Sequence, residues 1–426
     1  MIISYFYFSA FLAGIYLLFI YKNRFKFGFV LPSTVFMLMW TIACISSIVV
    51  QKNKDLNEFS MSYDRVGIYM FFFIISSFLG FILARFFTVR RKGPVNINLL
   101  WAKYLSSKLQ IFLYLSFLLG LLRIFIIVRT FGFESLYDYR QNVFLMSKLE
   151  QNGLWYYVSQ ISSYVYILAN FAVVMVALKQ AQTKFNIKET AIFFLLYSAQ
   201  ALSIGGRMFV LDFISCFFFT FFLVRGKNKK LMATQEFSVI FISIVFLIGI
   251  VMVLGVLRNN RDEKVSKEDY YTKLLYIQDG IIYTSVTFTL AHNNAYELDY
   301  GKNISSIDRE NTSFQKFRDS PQMENYIPFV TGVIAPLYFD FGYIGSLIVW
   351  LIICFIFELI SLRALNKNSI WGLLLVFLFM RFFYDTPLMI AGGRGLFRYL
   401  FVLGVLFLFR NKLKFDFVRA NIDKFK

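Results

Sequence analysis

The chain has 426 residues, of which 58% are hydrophobic and only 16% charged, and its formal net charge is +19. A soluble protein of this length carries about 25% charged residues, so the composition excludes an ordinary soluble enzyme and describes a chain built for lipid. The three cysteines, Cys44, Cys216 and Cys354, all fall in apolar runs, and there is one histidine, which excludes a disulfide framework and a His-rich metal site.

The first hydrophobic run, Ile2 to Tyr21, has no basic residue before it and Lys22, Arg24 and Lys26 just after it. A cleaved signal peptide has the reverse order, so the run is predicted to be an anchor with its N-terminus outside. Further spans are expected over 29–50, 66–87, 109–128, 156–178, 190–204, 208–224, 237–257, 341–362, 370–390 and 396–409. The expected fold is therefore an all-α polytopic membrane protein with about eleven transmembrane helices and a cytoplasmic C-terminus. Residues 1–257 hold the first eight spans, 258–328 form one large outer (periplasmic) loop or lid, 329–409 hold the last three spans, and 410–426 form a basic cytoplasmic tail. Lys and Arg concentrate in the short loops that this order places inside, so much of the positive charge is orientation signal. Nucleic acid is accordingly not an expected partner, and the lipid bilayer is.

Two of these runs, Thr190–Ile204 and Phe397–Phe409, would each cover only about 20 Å at 1.5 Å per residue, short of a ~30 Å hydrocarbon core. Each adjoins a glycine-arginine turn: Ser203-Ile204-Gly205-Gly206-Arg207 in one case and Gly392-Gly393-Arg394-Gly395 in the other. Irregular backbone below the membrane surface is tolerated where it lines a wet cavity. Backbone N–H groups, a helix dipole and a guanidinium converge there, a combination suited to a phosphate, with Gly205 and Gly206 allowing close approach. The bland alternative is an interfacial arginine whose head snorkels to water.

Arg258 and Arg261 sit three apart where a span leaves the membrane on the predicted outer side, against the usual basic bias. They are candidate ligand contacts or partners of Asp262 and Glu263. Arg140, in Tyr137-Asp-Tyr-Arg140, is a similar outer-loop cation. His292, Asp279 and Asp340 are rival general bases, a histidine by its ordinary pKa and the carboxylates if partly desolvated. Asp340, before Gly342, would equally serve as a helix N-cap. Arg123, Arg381, Asp385 and Arg398 fall inside spans, and the i,i+4 spacing of Arg381 and Asp385 predicts a pair on one helix face. Exposed outer-loop tyrosines suit either stacking on sugar rings or an interfacial aromatic belt. No nucleotide-binding glycine loop, zinc motif or serine nucleophile motif occurs, so neither cofactor nor metal is expected.

Three stretches, SIGGRMFVLDF at 203–213, FGFESLYDYRQ at 131–141 and APLYFDFGYIGS at 335–346, together with the span order, resemble the bacterial oligosaccharide repeat-unit polymerases, the O-antigen polymerase (Wzy) family. The resemblance implies a metal-independent glycosyltransferase of the bacterial inner membrane. Its substrate would be undecaprenyl-pyrophosphate-linked oligosaccharide, polymerised into surface polysaccharide at the outer face, and a chain-length regulator protein would be a partner. It further implies that Arg207, Arg258, Arg261 and Arg394 hold the pyrophosphate while a base such as His292 deprotonates the acceptor hydroxyl. Position 218 is phenylalanine where some relatives carry a glycine after their arginine motif. An O-antigen ligase would use the same donor, and a lipid-linked oligosaccharide flippase would share the basic, many-spanned character. A flippase would instead spread polar residues through its spans and keep short loops on both sides.

Overall fold

In a computed structural model, residues 11–15, 18, 31–51, 60–88, 99–131, 154–203, 212–227, 238, 242–243, 297–300, 302, 312–313, 316, 333–367, 369–386 and 393–413 are described. All of the regular structure among them is helical. The helices are α1 Pro32–Gln51, α2 Ser60–Phe86, α3 Leu99–Phe131, α4 Leu154–Gln182, α5 Ile187–Ser203, α6 over 212–227, α7 Ile334–Asn366, α8 Ile370–Asp385 and α9 Gly393–Leu408. Four described stretches are long and apolar enough to cross a membrane: Ile68–Phe86, Leu100–Phe125, Ile161–Gln182 and Pro336–Asn366. Ile370–Tyr384 and Arg398–Leu408 are shorter apolar helices. The described residues thus form an all-helical array with several membrane-length apolar helices.

The helices outrun the hydrophobic stretches that predict them. α3 starts at Leu99 rather than at 109, because Lys103 and Lys108 are good helix formers that hydropathy alone does not register. α5 starts at Ile187 rather than 190, since Asn186 Oδ1 accepts the Glu189 N–H (3.2 Å) and caps the first turn. Its 17 residues span roughly 25 Å, more than the sequence estimate. The expected spans over 2–21 and 237–257 lie mostly outside the described residues.

The chain divides into two compact units. The first, residues 1–92 and 271–400, holds α1, α2, α7, α8 and the start of α9. Here α2 and α7 run parallel: Ser77 meets Trp350 and Arg85 meets Glu358. α8 returns against α7, with Phe357 stacked on Phe379 at 4.2 Å, and α1 runs against α2, with Trp40 5.5 Å from Phe73. The core is aromatic, with Phe36, Trp40, Phe73, Phe81, Trp350 and Phe383 all buried. Its two indoles each keep a donor satisfied, Trp350 Nε1 on Ser77 Oγ (2.7 Å) and Trp40 Nε1 on Thr386 Oγ1 (3.0 Å). Close approach of α2 to α7 depends on Gly80, where a Cβ would fall 2.5 Å from the Leu351 carbonyl oxygen.

The second unit, residues 93–270 and 401–426, holds α3 to α6 and the end of α9. α3 packs along α4 and α5. α5 runs against α4, from the Lys179–Glu189 ion pair (2.7 Å) to Tyr197 beside Asn170. α6 runs parallel to α4, since Tyr166 meets Asp212 and Asn170 meets Cys216. Residues Ser215–Phe219 of α6 form a π-helical turn, a local insertion that recurs at functional sites.

Candidate functional site at the break in α7

Arg140, Gly205, Gly206, Arg207, Arg258, Arg261, Asp279 and His292 lie outside the described residues. Arg394 falls in the first turn of α9, and its side chain also lies outside them. Asp340 has a described side chain, and it is fully buried. Helix α7 begins at Ile334 behind Val333 and is broken at Gly342, so Asp340 stands in the last turn before the break. Arg381 lies over the Tyr399 ring, 4.9 Å from its centroid. Its expected partner Asp385 has a side chain outside the described residues.

The geometry around Asp340 follows from one glycine. Gly342 has φ 68° and ψ −169°, a left-handed conformation that breaks the helix two residues after Asp340. Carbonyls just before such a break are short of intrahelical donors. Those of Phe339 and Asp340 instead accept the backbone N–H groups of Asp299 and Tyr300, each at 3.0 Å. Asp299 is itself buried and accepts the Ser313 N–H through Oδ1 at 2.7 Å, while its carbonyl accepts Lys302 N–H at 3.2 Å. The polar segment 297–302 is therefore stitched onto the helix where the helix interrupts itself. At the N-terminal end of α7, Val333 N–H donates to the Thr386 carbonyl (2.9 Å), joining this end to α8.

Three tyrosines gather on the same end of the helix pair. Tyr69 of α2 is buried, and its ring lies 4.9 Å from that of Tyr343 and 6.3 Å from that of Tyr338. Ser346 Oγ gives its one proton to the Tyr343 carbonyl (2.8 Å), so the Tyr69 hydroxyl is the donor in the bond between Tyr69 and Ser346. That chain orients the Tyr69 ring and ends on the backbone of Tyr343. Tyr343 is 37% exposed, and Tyr300, on the stitched segment, is 79% exposed. The break in α7 thus brings together a buried acidic residue, a segment held by backbone hydrogen bonds and partly exposed tyrosines.

Two other buried polar groups escaped the sequence reading. Glu358 is fully buried, accepts Ser33 N–H (3.2 Å) and Ser33 Oγ–H (2.9 Å), and pairs with Arg85 at 3.2 Å. In α6, Asp212 accepts the Tyr166 hydroxyl at 2.9 Å, and the Tyr197 hydroxyl lies 2.6 Å from both Tyr166 Oη and Asn170 Oδ1. The available signal was the same in both cases: a single acidic residue in an apolar run, as in Phe355-Ile-Phe-Glu-Leu-Ile360. Among the described residues no three His, Cys, Asp or Glu side chains gather as a metal site would need. Comparison of the chain with family models, with curated proteins and with solved structures finds no match.

Proposed function

We propose that this protein is a polymerase of lipid-linked oligosaccharide repeat units, a metal-independent glycosyltransferase at the outer face of the bacterial inner membrane. In this reading the chain makes about eleven crossings with its N-terminus outside and its C-terminus in the cytoplasm, and residues 258–328 form an outer lid. The parallel α2 and α7 and the opposed α1 and α8 agree with such an alternation.

The observation that carries the proposal is the buried Asp340 at the break in α7, where the long polar segment 258–328 rejoins a membrane-length helix. A carboxyl group at that position is a candidate general base for an acceptor hydroxyl. In the reaction, an acceptor hydroxyl oxygen bonds to the anomeric carbon of the donor glycan, and the bond from that carbon to the pyrophosphate oxygen breaks. The hydroxyl proton passes to the base, Asp340 or its rivals His292 and Asp279. The leaving lipid pyrophosphate carries the bonding pair, and its negative charge is stabilised by cations held in place beforehand. Arg207 and Arg394 with their glycine turns, together with Arg258, Arg261 and Arg140, are the proposed cations.

The test is the surface polysaccharide of a deletion strain, resolved on a gel beside its parent. The polymerase reading expects a core bearing a single repeat unit in place of the ladder. A bare core would overturn it, and the side of the membrane on which lipid-linked units accumulate would then separate a ligase from a flippase. Arg207→Lys, expressed at the parental level, is expected to abolish the ladder, because an ammonium cannot hold phosphate bidentately. Near-normal chain length in that strain would remove Arg207 from the mechanism.

A further inference from the structure

Tyr300 combines three properties that do not ordinarily occur together. Its φ is 49°, and among the described residues it is the only non-glycine with positive φ. That region is disfavoured for a residue with a Cβ, and turns that need it ordinarily take glycine or asparagine. Its backbone is nevertheless held, since its N–H donates to the Asp340 carbonyl at 3.0 Å and Asp299 beside it is bonded on both its N–H and its carboxylate. Its side chain, finally, is 79% exposed. Burial does not explain a large aromatic ring at this position, and glycine would relax the backbone. Strain retained at a braced, exposed position is a mark of use rather than of packing.

We propose that Tyr300 is a stacking platform for a sugar ring of the lipid-linked glycan. The inference rests on the polymerase reading and extends it to a glycan subsite. An aromatic face suits the apolar C–H face of a pyranose, and here the backbone that carries the ring is braced on the break in α7. The Tyr300 N–H is bonded to the carbonyl of Asp340 itself, and just beyond the break Tyr343 is 37% exposed, its ring 4.9 Å from that of Tyr69. A sugar seated on Tyr300 would therefore lie on the segment whose backbone is hydrogen-bonded to the break in α7. An interfacial tyrosine that merely meets lipid headgroups has no need of a left-handed backbone, because ordinary extended or helical positions serve it equally well.

The experiment compares the wild type with Tyr300→Gly, Tyr300→Phe and Tyr300→Trp, each purified in nanodiscs. The probe is the free oligosaccharide released by mild acid from the parent strain's polysaccharide, titrated by saturation-transfer NMR, with thermal unfolding recorded on the same samples. Tyr300→Gly is expected to unfold at a higher temperature, through relief of the backbone, yet to bind the oligosaccharide at least tenfold more weakly. Tyr300→Phe and Tyr300→Trp are expected to bind within a factor of three of wild type, because stacking needs the ring and not the hydroxyl. A merely structural tyrosine would move stability and binding together. Equal binding by wild type and Tyr300→Gly would overturn the platform while leaving the polymerase reading intact. Absence of binding by the wild type would instead count against both.

Discussion

The two units meet the same physical problem, a carboxylate in an apolar surrounding, with different chemistry. In the first, Glu358 is held by a cation and by a helix start: Arg85 lies 3.2 Å away, and Ser33 at the beginning of α1 gives both its N–H and its hydroxyl. The positive end of the helix dipole adds to the guanidinium. In the second, Asp212 is met by Tyr166, which is in turn met by Tyr197. A charge held by a charge ties three helices at one point, whereas a charge held through hydroxyls spreads its support along a line of neutral groups. The first arrangement is costly to break because desolvation of both ions must be compensated at once. The second is weaker per bond, and each member depends on the next.

The contrast is sharpened by substitutions of decreasing expected effect. Glu358→Leu takes the acceptor from Arg85 and Ser33 and is expected to destabilise by about 3–5 kcal/mol. Thermal unfolding in detergent, followed by intrinsic tryptophan fluorescence, would read it, and a loss below about 1 kcal/mol would mean that the pair contributes no more than an exposed one. Tyr166→Phe keeps the ring and removes one donor from Asp212, with an expected cost of about 1–3 kcal/mol in the same assay. If the two variants prove equally damaging, the line of hydroxyls is as strong as the ion pair and the comparison fails. Lys179→Met breaks the ion pair with Glu189, whose side chains are 31% and 22% exposed. Gln180 Nε2 still donates to Glu189 at 3.1 Å, so a loss of about 1 kcal/mol or less is expected, measurable as a coupling energy in a double-mutant cycle with Glu189→Gln.

How much could be read beforehand depends on the range of the interaction. The apolar runs over 156–178 and 341–362 fall within helices α4 and α7, and that over 66–87 overruns α2 by one residue, because hydropathy over some twenty residues is a local property. The Pro- and Gly-bounded stretch 336–342 already marked an irregular start. That the irregularity lies inside a longer helix, and that Asp299 and Tyr300 close it, was not legible. Those hydrogen bonds join positions some forty residues apart that share no pattern. The contact of Arg381 with Tyr399 of α9 was likewise not legible, since nothing in the sequence pairs positions on two different helices.

The sequence by itself determined that the chain is helical and suited to lipid, since both follow from composition and from the length of apolar runs. It also marked Gly342 and Asp340 as neighbours at the start of a span. Tertiary structure alone decided that Glu358 would meet Arg85 and Ser33, that Asp212 would face two tyrosines, and that a strained Tyr300 would stand over the break in α7. Pairing of buried polar groups depends on which helix faces which, and on chain segments brought together across hundreds of residues. No local pattern encodes that choice, because each polar group is indifferent to which donor satisfies it so long as one does.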